Sequence, residues 1–276
     1  MKKFLLAVLL LCLSLPVLAA EKESAFDRVS RTKTLRCGYI LLPPEFAKDP
    51  NTGAFSGMVY DVTQEIGKRL GLKIEWTEEV NFQSAIAGLQ SSRYDAVCFS
   101  YYRYSQALMA ADFSAPLFYS GTSVFVRADD HRFDKSLTGI NSPDVKIATI
   151  DGEMSQFIAA DDYPKAKTVS MPQLTDLSQM MKNVETKKAD VAFVNSVVAA
   201  GYLKANPGKL RNVTAAPIRL FSHGMVFAKG QYDLVRMIDL TIAEMHDHGV
   251  IDKILDKYDP SRKSYLRVAR PYEAVK

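Results

Sequence analysis

The sequence predicts an α/β protein made of two similarly built lobes with a cleft between them. From Thr34 onward, short apolar segments alternate with amphipathic ones, a pattern typical of strand, helix, strand units and a largely parallel sheet. Two such units follow one another. Residues 189–194 of the second unit repeat the apolar pattern of residues 94–99 and their place in the first. Two lobes of the same construction leave a cleft where they meet.

The first unit is predicted from helical and strand periodicity. Its expected elements are a strand at 34–40, a helix at 59–70, a strand at 72–76, a helix at 82–89 and a strand at 94–100. Gly71 stands where the first helix needs a residue in the left-handed conformation. Asn81 is the candidate cap of the second helix. A loop rich in Pro and Gly separates the first strand from the first helix.

The second unit and the return of the chain are predicted in the same way. Their expected elements are a strand at 145–150, a helix at 177–184, strands at 189–194 and 224–228, a helix at 234–245 and a short helix at 251–258. Gly249 is placed to end the long helix.

The composition excludes several classes of protein. The chain has 276 residues, of which 47% are hydrophobic and 24% charged, so it is neither low-complexity nor collagen-like. Three cysteines are too few for a disulfide scaffold. The net charge of +4 falls to +2 without Lys2 and Lys3, which gives no reason to expect a nucleic-acid partner.

Residues 1–19 are predicted to be a cleaved signal peptide. Lys2 and Lys3 precede an apolar run of about 10 residues, half the length of a membrane span. Small side chains at Val17 and Ala19 favour cleavage after Ala19, and Cys12 is interpreted as ordinary filler of the apolar run. The mature protein is therefore expected to be soluble and periplasmic.

Six short motifs, in this order, resemble family 3 of the periplasmic solute-binding proteins, the polar amino-acid receptors of ABC importers. The closest match is Asp112-Phe113-Ser114-Ala115-Pro116, which is similar to the family's D-F-S-x-P crossover. The others lie at residues 35–46, 57–72, 87–96, 187–192 and 249–254. The resemblance covers nearly the whole mature chain.

This resemblance implies a two-lobed type II binding protein with two crossing strands as its hinge. The first lobe is then residues 24–119 and 224–276, and the second lobe is residues 120–223. Hinge positions are expected near 117–120 and 222–224. Such lobes close on a small polar solute, an amino acid or a related amine, and a membrane-embedded ABC permease recognises the closed form. A monomer is expected.

The candidate ligand-binding residues follow from the position of the cleft. In α/β lobes, ligands bind beyond the carboxyl ends of strands, which selects the loops at 39–46, 81–82, 100–104, 151–155 and 195–196. From these loops and the family pattern, the predicted site residues are Tyr39, Phe46, Phe82, Ser100, Tyr101, Arg103, Glu153, Ser155 and Asn195. Tyr39 and Phe46 are the preferred candidates for the cleft wall.

Both charged anchors of the family pattern are altered. The family's Arg for the ligand carboxylate aligns with Ala107, and its Asp for the ligand ammonium aligns with Asn195. Arg103 and Glu153 are candidate replacements. The alternative interpretation is that Arg103 is a surface residue and Glu153 an acid at the start of a helix, where the helix dipole favours it.

The remaining residues point to no cofactor. His246 and His248 are two positions apart on a predicted helix and would not face one ion, so no metal is expected. Cys37 and Cys98 lie on neighbouring predicted strands. Because direct neighbours in a parallel sheet rarely meet disulfide geometry, two buried thiols are favoured over a bridge.

Two other functions fit the same scaffold. One is an enzyme similar to the cyclohexadienyl dehydratases, with Glu153 as general acid, although the missing Arg at position 107 weakens it. The other is a binding protein that reports to a sensor or chemoreceptor. Binding for import is favoured over both.

Overall fold

The computed structural model of the chain describes residues 23–82, 84–173 and 175–270. The predicted signal peptide lies outside the described residues. In chain order, the helices are α1 (Ala25–Thr32), α2 (Met58–Leu70), α3 (Ser84–Gln90), α4 (Met154–Asp162), α5 (Ser178–Glu185), α6 (Ser196–Ala205), α7 (Tyr232–Asp247) and α8 (Val250–Tyr258). Two short 3₁₀ turns cover Ser105–Met109 and Leu137–Ile140.

The strands are, in chain order, β1 (Thr34–Tyr39), β2 (Ala47–Lys48), β3 (Phe55–Ser56), β4 (Lys73–Glu79), β5 (Ala96–Tyr102), β6 (Ala111–Phe113), β7 (Phe118–Arg127), β8 (Lys146–Ile150), β9 (Lys167–Met171), β10 (Val191–Asn195), β11 (Leu210–Asn212), β12 (Arg219–Ala228) and β13 (Tyr265–Leu266).

One continuous sheet runs through the described part of the chain in the order β4-β1-β5-β12-β7-β10-β8-β9. At one end β1 pairs in parallel with β4 and β5, and at the other β8 pairs in parallel with β9 and β10. Between these halves, β7 and β12 pair in antiparallel fashion. The predicted two-lobed α/β fold is confirmed. We call the half around β1 the first lobe and the half around β8 the second lobe.

The first lobe has a single core, and the predicted helix spacing explains why. Val59, Val62 and Ile66 of α2 are fully buried and pack in one cluster with apolar residues of β1, β5, α7 and α8. Gly71 ends α2 with φ of 63°, in the left-handed conformation that glycine adopts without strain.

The second lobe buries both faces of its sheet. Alternate residues of a strand point to opposite faces. Val191 and Phe193 of β10 accordingly join one apolar cluster, whereas Ala192 and Val194 join another on the other side. Helix α4 contacts the sheet at β8 and β10, and α5 and α6 contact it at β10 and β7.

Asp95 and Asp190 occupy matching places in the two lobes. The Asp95 carboxylate accepts a hydrogen bond from the backbone N–H of Arg36 at 2.8 Å and from its guanidinium at 2.9 Å. The Asp190 carboxylate accepts one from the backbone N–H of Lys146 and one from the Arg127 guanidinium, each at 3.0 Å. The two units that the sequence predicts to be similar therefore also share an ion pair between an aspartate and an arginine. Both aspartates stabilise the fold.

The preference for two buried thiols is wrong, because Cys37 and Cys98 form a disulfide. Cys37 of β1 lies opposite Ala96 of β5, so Cys98 stands diagonally from it, two residues further along and on the same face. The two Cα atoms are 5.3 Å apart, within the range that a bridge requires. The argument from directly opposed neighbours did not apply, since the register makes the pair diagonal.

We expect the exported protein to contain no free thiol, because Cys12 lies in the predicted signal peptide. Thiol titration in denaturant should detect none before reduction and two afterwards. The bridge joins residues 61 apart. Replacing Cys37 and Cys98 by Ser should therefore lower the free energy of unfolding by about 2 to 4 kcal/mol in a urea titration. Two reactive thiols before reduction would contradict the bridge.

Candidate ligand-binding site

A cavity of about 440 Å³ lies between the two lobes. The first lobe contributes the segments after β1 and β4 and the end of β5, and the second contributes the segments after β8 and β9. Since the carboxyl ends of parallel strands meet at one edge of each half-sheet, both lobes turn their strand ends toward the same space. Its size is that of a site for a small molecule.

Tyr102 and Glu153 connect the two lobes across this cavity. The Tyr102 hydroxyl at the end of β5 donates to Glu153 Oε1 at 3.4 Å. The Asn195 side chain, at the end of β10, hydrogen-bonds to the same hydroxyl. Nearby, the Tyr104 ring of the first lobe lies 5.6 Å from that of Phe157 in α4. The lobes therefore touch through side chains at the edge of the cavity.

Glu153 is held in place by the start of α4. Its Oε2 accepts hydrogen bonds from the backbone N–H of Ser155 at 2.7 Å and from the Ser155 hydroxyl at 2.5 Å. Burial raises the pKa of the Glu153 carboxyl, and the hydrogen bonds from Ser155 and Tyr102 offset this only in part. Burial disfavours the charged form of this carboxyl. A cation that lies beside Glu153 would favour its ionised form.

Four aromatic rings form the first-lobe wall. Phe82 stacks on Tyr102, with ring centroids 6.2 Å apart and planes 16° apart, and lies 5.3 Å from Tyr101. The Tyr101 ring in turn stacks on Tyr104 at 6.5 Å. The Tyr101 hydroxyl donates to the backbone oxygen of Phe82 at 2.7 Å, which fixes the two rings relative to each other.

The structure brings some of the predicted site residues to the cavity and places others just behind it. Phe82, Tyr101 and Glu153 line it. Ser155 and Asn195 do not line it but contact residues that do, namely Glu153 and Tyr102.

Three predicted residues lie elsewhere. Tyr39 and Phe46, the preferred candidates for the cleft wall, stack on each other at 5.3 Å within the first-lobe core. Phe46 also packs 4.6 Å from the Trp76 ring. Arg103 is exposed and lines a separate groove beside Asp239, so its side chain does not belong to the cavity.

Sequence reasoning missed part of the wall. Tyr102, Tyr104 and Asp151 fall inside the loops that were selected from strand ends, but aromatic or acidic character alone did not single them out. Residues Thr175 and Asp176 lie in the segment after β9, a strand that the periodicity did not predict. No sequence signal pointed to that segment.

A buried polar network includes Ser100, the residue before Tyr101 of the cavity wall. The Ser100 hydroxyl donates to the Glu45 carboxylate, and the Ser100 backbone oxygen accepts from His223 Nδ1 at 3.0 Å. Burial raises the pKa of Glu45 to about 7, and it lowers the pKa of His223 to about 4. Ser100, predicted as a ligand contact, is a member of this network.

Among the described residues, no cluster of His, Cys, Asp and Glu is arranged to hold a metal ion. Across the same residues, no helix is both long and apolar enough to cross a membrane.

Residues 35–261 match the bacterial extracellular solute-binding proteins, family 3. The chain belongs to this family, and the resemblance found in its sequence is confirmed.

Two curated relatives align along nearly their whole lengths. The L-cystine-binding protein TcyA of Bacillus subtilis is 24% identical to this chain. The aligned region covers 94% of this chain and 97% of the relative. The probable histidine-binding protein of Campylobacter jejuni is also 24% identical, over 94% of this chain and 99% of its own length.

Solved structures agree with the fold. AncCDT-1, an ancestral amino-acid-binding protein described as a precursor of cyclohexadienyl dehydratase, has a TM-score of 0.72 and 28% identity, over 86% of this chain and 99% of its own. An ancestral arginine-binding protein bound to glutamine has a TM-score of 0.67 and 26% identity, over 82% of this chain and 97% of its own.

We expect Glu45→Gln to stabilise the protein in a pH-dependent manner. The native carboxyl, with its pKa near 7, holds its proton more tightly than an unfolded glutamate with a pKa near 4.5, so wild-type stability falls as the pH rises through this window. The variant cannot ionise. Relative to wild type it should therefore gain about 2 to 3 kcal/mol of unfolding free energy between pH 4 and pH 8.

Urea titrations at several pH values measure this difference. The control is Glu75→Gln, which alters an exposed glutamate of β4 and should leave the pH profile of stability unchanged. A Glu45→Gln profile parallel to that of wild type would show that Glu45 titrates normally.

Proposed function

We propose that the protein is the substrate-binding protein of an ABC importer and that it captures a small polar solute, an amino acid or a related amine, by closing its lobes. The observation that carries this proposal is the cavity between the lobes, lined by strand ends from both and bridged by Tyr102 and Glu153. Relatives named as binding proteins for cystine and histidine support the same class of solute.

The proposed hinge consists of β7 and β12. β12 pairs with β7 from Arg219 to His223, and with β5 from His223 to Phe227. Its partner therefore changes at His223. This supports a division into a first lobe of residues 24–119 and 224–276 and a second lobe of residues 120–223. Rotation about this crossing would open and close the cavity.

We place the mature protein in the periplasm as a monomer that docks on an inner-membrane permease. The basic, apolar and small-residue order of residues 1–19 supports export. Relatives named as ABC transporter-binding and extracellular binding proteins support the permease as partner.

Binding, not catalysis, is the proposed activity. One observation favours the alternative of a dehydratase: Glu153 is a cavity carboxyl whose pKa is raised by burial, as a general acid would require. Against the dehydratase alternative, the structurally similar ancestral arginine-binding protein and the curated relatives are named for binding. Turnover of a bound solute, followed by mass spectrometry, separates the two functions.

We expect a solute that stabilises the protein also to compact it. A thermal-shift screen of amino acids, amines and small acids identifies the solute, since one present at 100 times its dissociation constant adds about 2.7 kcal/mol of stability. Small-angle scattering should then show a smaller radius of gyration with the solute than without it. An unchanged radius at saturation would contradict closure.

Tyr102→Phe tests the contact across the cavity. Loss of the hydroxyl removes the hydrogen bond to Glu153, so the variant should bind the solute more weakly and, without solute, should melt slightly below the wild-type temperature. Tyr232→Phe is the matched control, because Tyr232 is 68% exposed and lies outside the cavity. Equal affinity in both variants would show that the Tyr102 contact does not support binding.

A further inference from the structure

The cavity between the lobes is acidic. Its described lining includes four carboxylates, Glu79, Asp151, Glu153 and Asp176, and among those residues there is no Lys, Arg or His. Glu153 lies deeper than the other three, which are exposed at the rim. A ligand carboxylate placed there would meet like charges and no countercharge, which disfavours it.

The helix starts at the cavity are partly occupied by side chains of their own segments, which leaves fewer N–H groups for an anion. Each of three helices has a backbone N–H of its first turn bound by a side chain of its own segment. Asn81 Oδ1 accepts from Ser84 N at 2.8 Å, Glu153 Oε2 from Ser155 N at 2.7 Å, and Asn195 Oδ1 from Val198 N at 2.9 Å. In α4 the capping group is itself an acid, which further repels an anion.

Neither of the two positions considered for a guanidinium places one in the cavity. Ala107 is 4% exposed and packs in the first-lobe core. Arg103 lies outside the cavity, where Arg103 and Arg236 both act electrostatically on the Asp239 carboxylate. The charged anchor that pairs with a carboxylate is thus absent from the described cavity wall.

The aromatic wall favours the opposite charge. Phe82, Tyr101, Tyr102 and Tyr104 line the cavity beside Glu153. The face of an aromatic ring attracts a cation, and the attraction grows when water is excluded. A carboxylate at the bottom and rings along one side form a site for an ammonium or guanidinium group.

We infer that the solute held in this cavity is a small organic cation that carries no carboxylate group. Its cationic group lies against Glu153 and the rings of Phe82 and Tyr102, and a second cationic or polar end faces the carboxylates at the rim. This inference rests on the proposed function, because it assigns the charge of the captured solute. The position of the site is given by the cavity between the lobes. The carboxylates determine only the charge of the solute that it binds.

Calorimetry on the mature full-length protein tests this with pairs of compounds that differ only by the α-carboxylate. The probes are L-arginine with agmatine, L-lysine with cadaverine, and L-ornithine with putrescine. We expect at least one amine to bind about 10-fold or more tightly than its parent amino acid. A panel in which every parent amino acid binds at least as tightly as its amine, or in which no amine binds, overturns the inference.

Variants then locate the cationic group. Glu153→Gln removes the charge but keeps an oxygen that caps α4, and it should weaken amine binding about 10- to 100-fold. Glu79→Gln, at an exposed rim position, should weaken it up to about 5-fold, and its fold is not at risk. Glu75 lies four residues before Glu79 on β4 and outside the cavity. The control Glu75→Gln should therefore bind like wild type. Amine binding that survives in both Glu153→Gln and Glu79→Gln overturns the inference.

Failure of this inference and failure of the proposed function look different. If scattering shows that the lobes close on a neutral or zwitterionic solute while every amine fails, the cationic assignment is wrong and the binding function stands. If no solute of the screen stabilises or compacts the protein, both are wrong.

Discussion

The antiparallel pairing of β7 with β12 is the interaction on which the rest of the structure depends. These are the strands through which the sheet continues from one lobe to the other. His223 lies where β12 changes partner, opposite Phe118 of β7 on one side and opposite Tyr102 of β5 on the other. The strand crossing therefore sets the position of Tyr102, the residue that reaches across the cavity to Glu153. The same strand pairing therefore fixes both the arrangement of the lobes and the position of Tyr102.

The polar groups at this crossing are satisfied without a charge. His223 Nδ1 must donate to the Ser100 backbone oxygen, since a carbonyl only accepts, and Nε2 then accepts from the Ser120 hydroxyl at 2.7 Å. The ring also stacks on Phe118 with centroids 4.6 Å apart. Both nitrogens are used by the neutral form, and burial lowers the pKa of His223 to about 4. A neutral imidazole holds the strands together and adds no positive charge next to Tyr102, which lines the acidic cavity.

Much of the fold was predictable because periodic burial leaves a trace in sequence. The spacing of apolar residues predicted β1, β4, β5, β8, β10 and the second half of β12, and helices α2, α3, α5, α7 and α8, with ends shifted by a few residues. Helix α6 was missed because its sequence is apolar almost all round, so it has no polar face to reveal a period. The Cys37–Cys98 bridge was missed for a different reason: which residues stand opposite each other in a parallel pair is set by tertiary packing and is not visible in either strand alone.

The site was predictable at the level of loops but not of side chains. Strand ends selected the right segments, yet the direction of each side chain depends on how its loop turns. Phe46 points into the core because its backbone N–H and oxygen both pair with Leu42, which folds the loop back on itself and turns the ring toward Trp76. The sequence predicted that Ala107 and Asn195 stand where the family has charged anchors, but it did not predict which groups would surround the ligand instead. Loss of a basic anchor alters the preferred ligand only if no other donor takes its place. At the starts of α3, α4 and α6, one N–H of the first turn is already bound by a side chain of the same segment. For the proposed cationic solute, the acidic lining and these capped helix starts act in the same direction, because neither offers an anion a countercharge.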